Sequence, residues 1–345
     1  MRESNNKNLQ LRQMDRLNPI SAQRVIENII RETIPAPYYH VWRVASLSPD
    51  FVTANNGFFF ASPLNKIFKE SPYEFDLAKG ANRFQHFTSI SNLLSIINEK
   101  RIRMYDLNNM EDPREFELAA DAFKSYAINM EEMKSCLFSF SMLPFTERRV
   151  EDEFLFWKMY GLDGMGAAII LNISSNNQFT LPYYLGKISY EKNPILKFES
   201  IKEKIESVGK KSDFAFGDLY RSVLPYLCFH KANFYSFENE VRIMSYIEKE
   251  MYEEHKSPIE FTINKKFKKI YYDHIPLIKS AGFNEIRNAT EQWLDVKIEK
   301  VILGFQIPSD RIQFLISTIS KLALEKLGYQ VEVVPSELRN HFKTR

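Results

Sequence analysis

Glu238, Glu240 and Arg242 alternate through FENEVRIM (237–244). As a strand, the segment puts three charges on one face and Val241 and Ile243 on the other. A strand lining a polar cleft has this pattern, and so does an ordinary half-exposed strand of an antiparallel sheet. FSFS offers the same two alternatives: Ser139 and Ser141 face one way and Phe140 the other, to bind a ligand or to fill ladder positions. In LFWKMYG, Trp157 and Tyr160 are neighbours on a helix surface. Trp157 reads as core. Tyr160, beside Gly161 at the helix end, is open between core and a ring that stacks on a flat heterocycle. Lys231, in HKANF, is either a phosphate ligand or a solvated lysine. Asp112, Arg114 and Glu115 surround Pro113, which is also capping chemistry for a helix start. His86, in FQHFT, shares a strand face with Phe84 and is either core filler or the wall of a ligand site.

Positioning these groups requires a succession of short elements. Ser21 caps a helix through IENIIRETI that the prolines at 35 and 37 stop; 35–80 is aromatic, turn-rich and without a clean period. The strand FQHFT leads into a helix capped by Ser89, with Ile90, Leu93, Leu94 and Ile97 in one apolar stripe. RIRMY is a strand, EFELAADAFKSYAINMEEM a helix, KSCLFSFS a strand, and EDEF to WKMYG a short helix with acidic residues at its start. GMGAAIILNI and LGKISYE follow as strands, then two helical stretches over 195–235, then the strand ENEVRIMSYI. PIEFTI and FKKIYY are strands, 275–295 a charged helical region, and KVILGF a buried strand. Ser309 or Asp310 caps a helix over 309–327, Gly328 lies past its end, and YQVEVV is the last strand. The mixture lacks a regular βαβ rhythm and has no GxGxxG or P-loop, which predicts an α+β fold. The organisation expected is an N-terminal tail with a helical or irregular extension over 1–80, then one α+β domain over 81–335 with a helical insert near 195–235.

Composition narrows the setting. Lys plus Arg number 46 and Asp plus Glu 44, for a formal net charge of +2, which argues against a protein held to nucleic acid mainly by phosphate neutralisation. KKFKK at 265–269 is the only compact basic run. Cys136 and Cys228 are too few for a disulfide framework and suit a reducing cytosol. No Cys/His cluster has zinc spacing, so no metal is expected. The polar start lacks the apolar stretch of a signal peptide and no apolar run is long enough to cross a bilayer, so the expectation is a cytoplasmic protein with no membrane partner.

Taken in order, HFTSISNL, NNMEDPREFE, FSFS, LFWKMYGLDGMGAAI, LGKISY, HK, ENEVRI and KVILGF resemble a bacterial domain-of-unknown-function family (DUF family twenty-nine seventy-one) over 80–310. HFTSISNLLSII also resembles the start of the DarT-like DNA ADP-ribosyltransferase toxins, in which a His-x-Thr strand end precedes an Asn-Leu helix. That second resemblance implies a mixed or antiparallel split-sheet core and NAD as co-substrate. His86, Ser139 or Tyr160, and Glu238-Asn239-Glu240 would fill the positions the wider fold reserves for His or Arg, Ser or Tyr, and Glu-x-Glu. FSFS stands where arginine-type enzymes have Ser-Thr-Ser, and the helical insert is unmatched; both leave the choice between Ser139 and Tyr160 open. The roles implied are Glu240 under the nicotinamide ribose, stabilising the oxocarbenium-like charge, and Glu238 removing the acceptor's proton. His86 would hold the adenosine ribose with Thr88 in support, Tyr160 would stack on nicotinamide, and Arg114 or Lys231 would neutralise the pyrophosphate. The implied function is an ADP-ribosyltransferase modifying a nucleic acid or protein acceptor, as a toxin or anti-phage effector with a possible antitoxin. The alternatives are a non-enzymatic nucleotide- or partner-binding protein of the same fold, and NAD hydrolysis without transfer.

Overall fold

Alternation in FQHFT and the stripe that follows it produce the first pair of elements. β1 (Arg83–Thr88) runs into α1 (Ile90–Glu99), whose cap is Ser89, accepting the Asn92 N–H at 3.0 Å. Leu93 and Ile97 are buried, and Ile90 and Leu94 pack on the same core. Lys100, left-handed at φ 60°, ends the helix and starts β2 (Arg101–Asp106). In this computed structural model the structure describes residues 82–109, 130–145, 150–175, 183–190, 203, 228–247, 259–263, 269–278 and 294–342. The extension over 1–80, Arg114 and most of the insert near 195–235 lie outside the described residues.

The remaining elements are α2 (Met130–Ser135), β3 (Leu137–Pro144), α3 (Val150–Tyr160), β4 (Ala167–Ser175), β5 (Tyr183–Lys187) and β6 (Val241–Tyr246). After them come β7 (Glu260–Ile263), β8 (Lys269–Pro276), β9 (Leu294–Leu303), α4 (Ser309–Leu327), β10 (Glu332–Pro335) and α5 (Arg339–Phe342). The fold is mixed α+β. Its open ten-stranded sheet follows the order β10-β9-β4-β1-β3-β2-β8-β7, with β6 on β3 and β5 on β6. All pairings are antiparallel except β9 with β10.

β3 is the hub. It pairs with β6 from Leu137 to Met142, with β2 at Phe138 and Ser139, and with β1 only at Leu143 and Pro144. After Gln85↔Leu143, β1 parts from β3 while staying paired with β4 through Thr88, and a fork opens between the two strands. Phe84, Ile102, Met104, Phe138, Phe140 and Met142 join the main core, which α1 and α4 cover. The opposite face carries Phe87 and Leu143 under Phe156 and Trp157 of α3. Trp157 is fully buried, with its ring edge-on to Phe87 at 5.0 Å. The turn after α3 is seated on β1: a Cβ at Gly166 would lie 2.4 Å from the Thr88 carbonyl oxygen, so only glycine permits that approach.

Two local expectations are corrected. The strand expected through FENEVRIM (237–244) and on through ENEVRIMSYI (238–247) begins at Val241; Asn233–Glu238 is a 3-10 helix, because Asn239 takes a left-handed conformation (φ 47°, ψ 46°) and its N–H returns to the Ser236 carbonyl. α4 begins without a side-chain cap, since Pro308 occupies that position. The Ser309 hydroxyl instead accepts from Arg339 Nη2 at 2.6 Å.

Candidate functional site: a buried carboxylate pair

Glu238 and Glu240 converge by a route other than alternation. The left-handed turn at exposed Asn239 swings the two flanking side chains inward, where both are buried, at 3% and 2% exposure. One ammonium joins them: Lys231 Nζ lies 2.9 Å from Glu238 Oε2 and 2.6 Å from Glu240 Oε2. Arg242, one of the largest fully buried side chains, holds the other oxygen of Glu240, with Nη2 at 2.8 Å and Nε at 2.9 Å from Oε1. Its Nη1 donates to the Cys228 carbonyl at 2.7 Å. Glu238 Oε1 accepts the phenolic O–H of Tyr160, the last residue of α3. Among the described residues, two carboxylates thus face two cations, the arrangement that lets ionised groups stay charged without water. Burial works to raise the pKa of Glu240, but Arg242 and Lys231, with hydrogen bonds from Lys231 and Ser141, bring it down to about 2.

Ser141 links this cluster to the fork. It lies opposite Arg242 in the β3–β6 register, and its hydroxyl donates to Glu240. Its backbone carbonyl accepts from His86 Nδ1 at 3.0 Å, where β1 has just left β3. The His86 ring lies 4.4 Å from that of Phe140. Burial lowers the His86 pKa to about 4, against the opposing effect of the Ser141 carbonyl. A neutral imidazole facing a carbonyl must carry its proton on Nδ1, which leaves Nε2 as a hydrogen-bond acceptor. His86 and Glu240 therefore each bond to Ser141, one at its carbonyl and the other at its hydroxyl, with the His86 ring on the Phe140 side of β3 and the Ser141 side chain on the other.

Thr88 is buried at the end of β1 beneath the Gly166 turn. Ser139 lies two residues before Ser141 on the same face, and its buried hydroxyl has no hydrogen-bond partner among the described residues. Tyr160 is half-exposed, its ring stacked at 6.3 Å on Phe156. Lys231, with Arg114 one of two candidates for a pyrophosphate, is bound to both carboxylates and lies 5.3 Å from the Tyr235 ring.

Sequence reasoning missed three participants. Arg242 was visible as a charge on the strand face, without any sign that it was sealed inside. Ser141 was visible beside Ser139, without any sign of which hydroxyl reaches a carboxylate. Tyr190 had no local signal: its hydroxyl accepts the Glu240 N–H at 2.9 Å, and burial raises its pKa. It arrives because the β5–β6 ladder carries on past Lys187, with the Ile188 N–H on the Glu240 carbonyl. Among the described residues no group of three or more His, Cys, Asp or Glu is placed to hold a metal ion, and no helix is long and apolar enough to cross a membrane. Compared with protein-family models, curated proteins and solved structures, the chain matches none of them.

Proposed function

We propose that this chain consumes NAD as an ADP-ribosyltransferase and modifies a macromolecular acceptor, acting in the cytoplasm as a toxin or anti-phage effector under the control of an antitoxin. One observation carries the reading: Tyr160, Lys231, Glu238 and Glu240 form one bonded cluster, and Ser141, bonded to Glu240 through its hydroxyl, holds His86 through its carbonyl at a fork in the sheet. The fork supports a split-sheet core of the ADP-ribosyltransferase kind. The residues also suit a dinucleotide: Nε2 of His86 can accept from a ribose hydroxyl, the Ser139 hydroxyl has no partner among the described residues, and the half-exposed Tyr160 ring can cover a flat heterocycle.

In the reaction, the bond between nicotinamide and its ribose breaks and nicotinamide leaves with the electron pair. Glu240, held ionised by Arg242 and Lys231, stabilises the positive charge that grows on the ribose. The acceptor bonds to the ribose carbon and gives its proton to Glu238. Burial and full ion pairing of both carboxylates favour a second reading, a nucleotide- or partner-binding protein without turnover.

Purified chain incubated with labelled NAD, alone and with cell extract, separates these readings. Transfer releases nicotinamide and labels a macromolecule; hydrolysis releases nicotinamide alone. Glu240→Gln is expected to lower release at least about a hundredfold, as removal of a preorganised electrostatic group does. Absence of both nicotinamide release and a calorimetric heat of NAD binding overturns the proposal. Binding without release supports the second reading.

A further inference from the structure

The geometry points to Lys231 as a positioning residue, an ammonium clamp that keeps Glu238 and Glu240 together as a matched pair of carboxylates. This deepens the proposed function and rests on it for its catalytic meaning. Both carboxylates reach the same Nζ, at 2.9 and 2.6 Å, and all three side chains are at least nine-tenths buried. Arg242 touches Glu240 only at Oε1, so within this cluster Lys231 is the cation common to both. Among the described residues, two buried carboxylates would without it share one guanidinium, and like charges that close cannot both stay ionised. One would take up a proton near neutral pH.

Among the described residues, the titratable groups around the pair are Tyr160 from α3, Tyr190 beyond β5, Tyr235 from the 3-10 helix, Lys231 with its neighbour His230, and Arg242 from β6. Burial raises the Tyr190 pKa, and Arg242 is a permanent cation. The pair is the group whose charge balance the loss of Lys231 changes directly, since both carboxylates bond its ammonium, and it is the group expected to change ionisation between pH 5 and 8 when Lys231 is removed.

The test compares urea unfolding of the full chain, Lys231→Met, Lys231→Arg and the double variant Lys231→Met/Glu238→Gln at pH 5, 6.5 and 8. A carboxyl whose folded pKa is raised adds stability at low pH and loses it as pH rises through that value. The deficit of Lys231→Met against the wild-type chain should therefore grow from pH 5 to pH 8, by about tenfold or more in the folding equilibrium, one pKa unit being tenfold. Lys231→Arg keeps the charge and should run parallel to the wild type. The double variant removes one negative charge with the positive one, and should recover most of the pH 8 midpoint. A deficit of Lys231→Met that does not vary with pH, or a double variant no more stable than the single, overturns the clamp. A single variant that fails to fold even at pH 5, with the double variant also unfolded, overturns it too. These measurements use no NAD. Wild-type chain that neither binds nor cleaves NAD ends the functional reading and leaves the clamp to its own test.

Discussion

Two charged networks lie on one face of the same sheet. The register Tyr105↔Ser139 and Ser141↔Arg242 makes that face continuous from β2 across β3 to β6. At one end, Lys231, Glu238, Glu240 and Arg242 are sealed from water. At the other, Arg101 grips Glu260 through both terminal nitrogens, at 2.6 and 2.9 Å, and Arg103 grips Glu99 at 2.6 Å. There the Tyr272 hydroxyl and His274 Nε2 close on Glu260 at 3.0 and 3.2 Å, and Arg103 lies over the Tyr272 ring at 4.6 Å. The outer network has the more extensive geometry, yet the Glu260 side chain is 44% exposed. Water supports each of its charges when a partner is lost. In the inner network burial keeps water from doing so, and its charges must match. A sheet surface held by ordinary ion pairs needs no such seal, which is why the inner cluster is the candidate site.

The comparison breaks most clearly at Arg242. Arg242→Met leaves a buried carboxylate short of a cation and should cost about 3–5 kcal/mol, read by urea denaturation at pH 7. A loss below about 1 kcal/mol would show that water enters the cluster, and the contrast with the outer network would disappear.

Acidification should weaken the outer network first. Burial and the neighbouring Arg101 lower the His274 pKa to about 4, against the pull of Glu260. A histidine kept neutral on folding contributes stability that is whole above the unfolded value of about 6.5 and is lost as pH falls toward the folded one. Glu240 and Glu260, both brought to about 2 despite burial, lose theirs only as pH falls below the unfolded glutamate range. Between pH 7 and pH 5, stability should therefore drop by about 1–2 kcal/mol through His274, and His274→Gln should flatten that slope. His86, also at about 4, adds a slope of the same sign. An unchanged slope in His274→Gln would place the acid sensitivity elsewhere.

Asn239 sharpens the comparison from the backbone side. Asn239→Val puts a β-branched residue at φ 47° and should cost about 1–2 kcal/mol, whereas Asn239→Gly should change the unfolding midpoint little. Equal effects of the two would mean that the turn does not set the carboxylates. Glu260→Gln should have the smallest effect, about 0.5 kcal/mol, shrinking further in high salt because its ion pair is exposed.

Much of this fold was legible in residue periods. Ser89 capped its helix as its position implied, the stripe of Ile90, Leu93, Leu94 and Ile97 faced the core, and Gly328 ended α4 in the left-handed conformation. Alternation correctly set Ser139 and Ser141 against Phe140, and Trp157 went to the core. Alternation failed at Glu238 and Glu240: they share a face through a left-handed residue, and an asparagine in such a turn looks from its identity like an asparagine in a strand.

Local chemistry in the chain was enough to set β1, α1, β3 and α4 and the faces of the residues within them, because those preferences act over one or two turns. Only tertiary pairing decided which polar residues meet. Lys231 and Tyr160 reach Glu238 from separate segments, and Ser141 touches both His86 and Glu240 because β3 pairs with β6 on all but its last two residues and with β1 on those two alone. The same is true of burial: Arg242 looks like any strand arginine until other segments close over it, and that exclusion of water makes its charge indispensable.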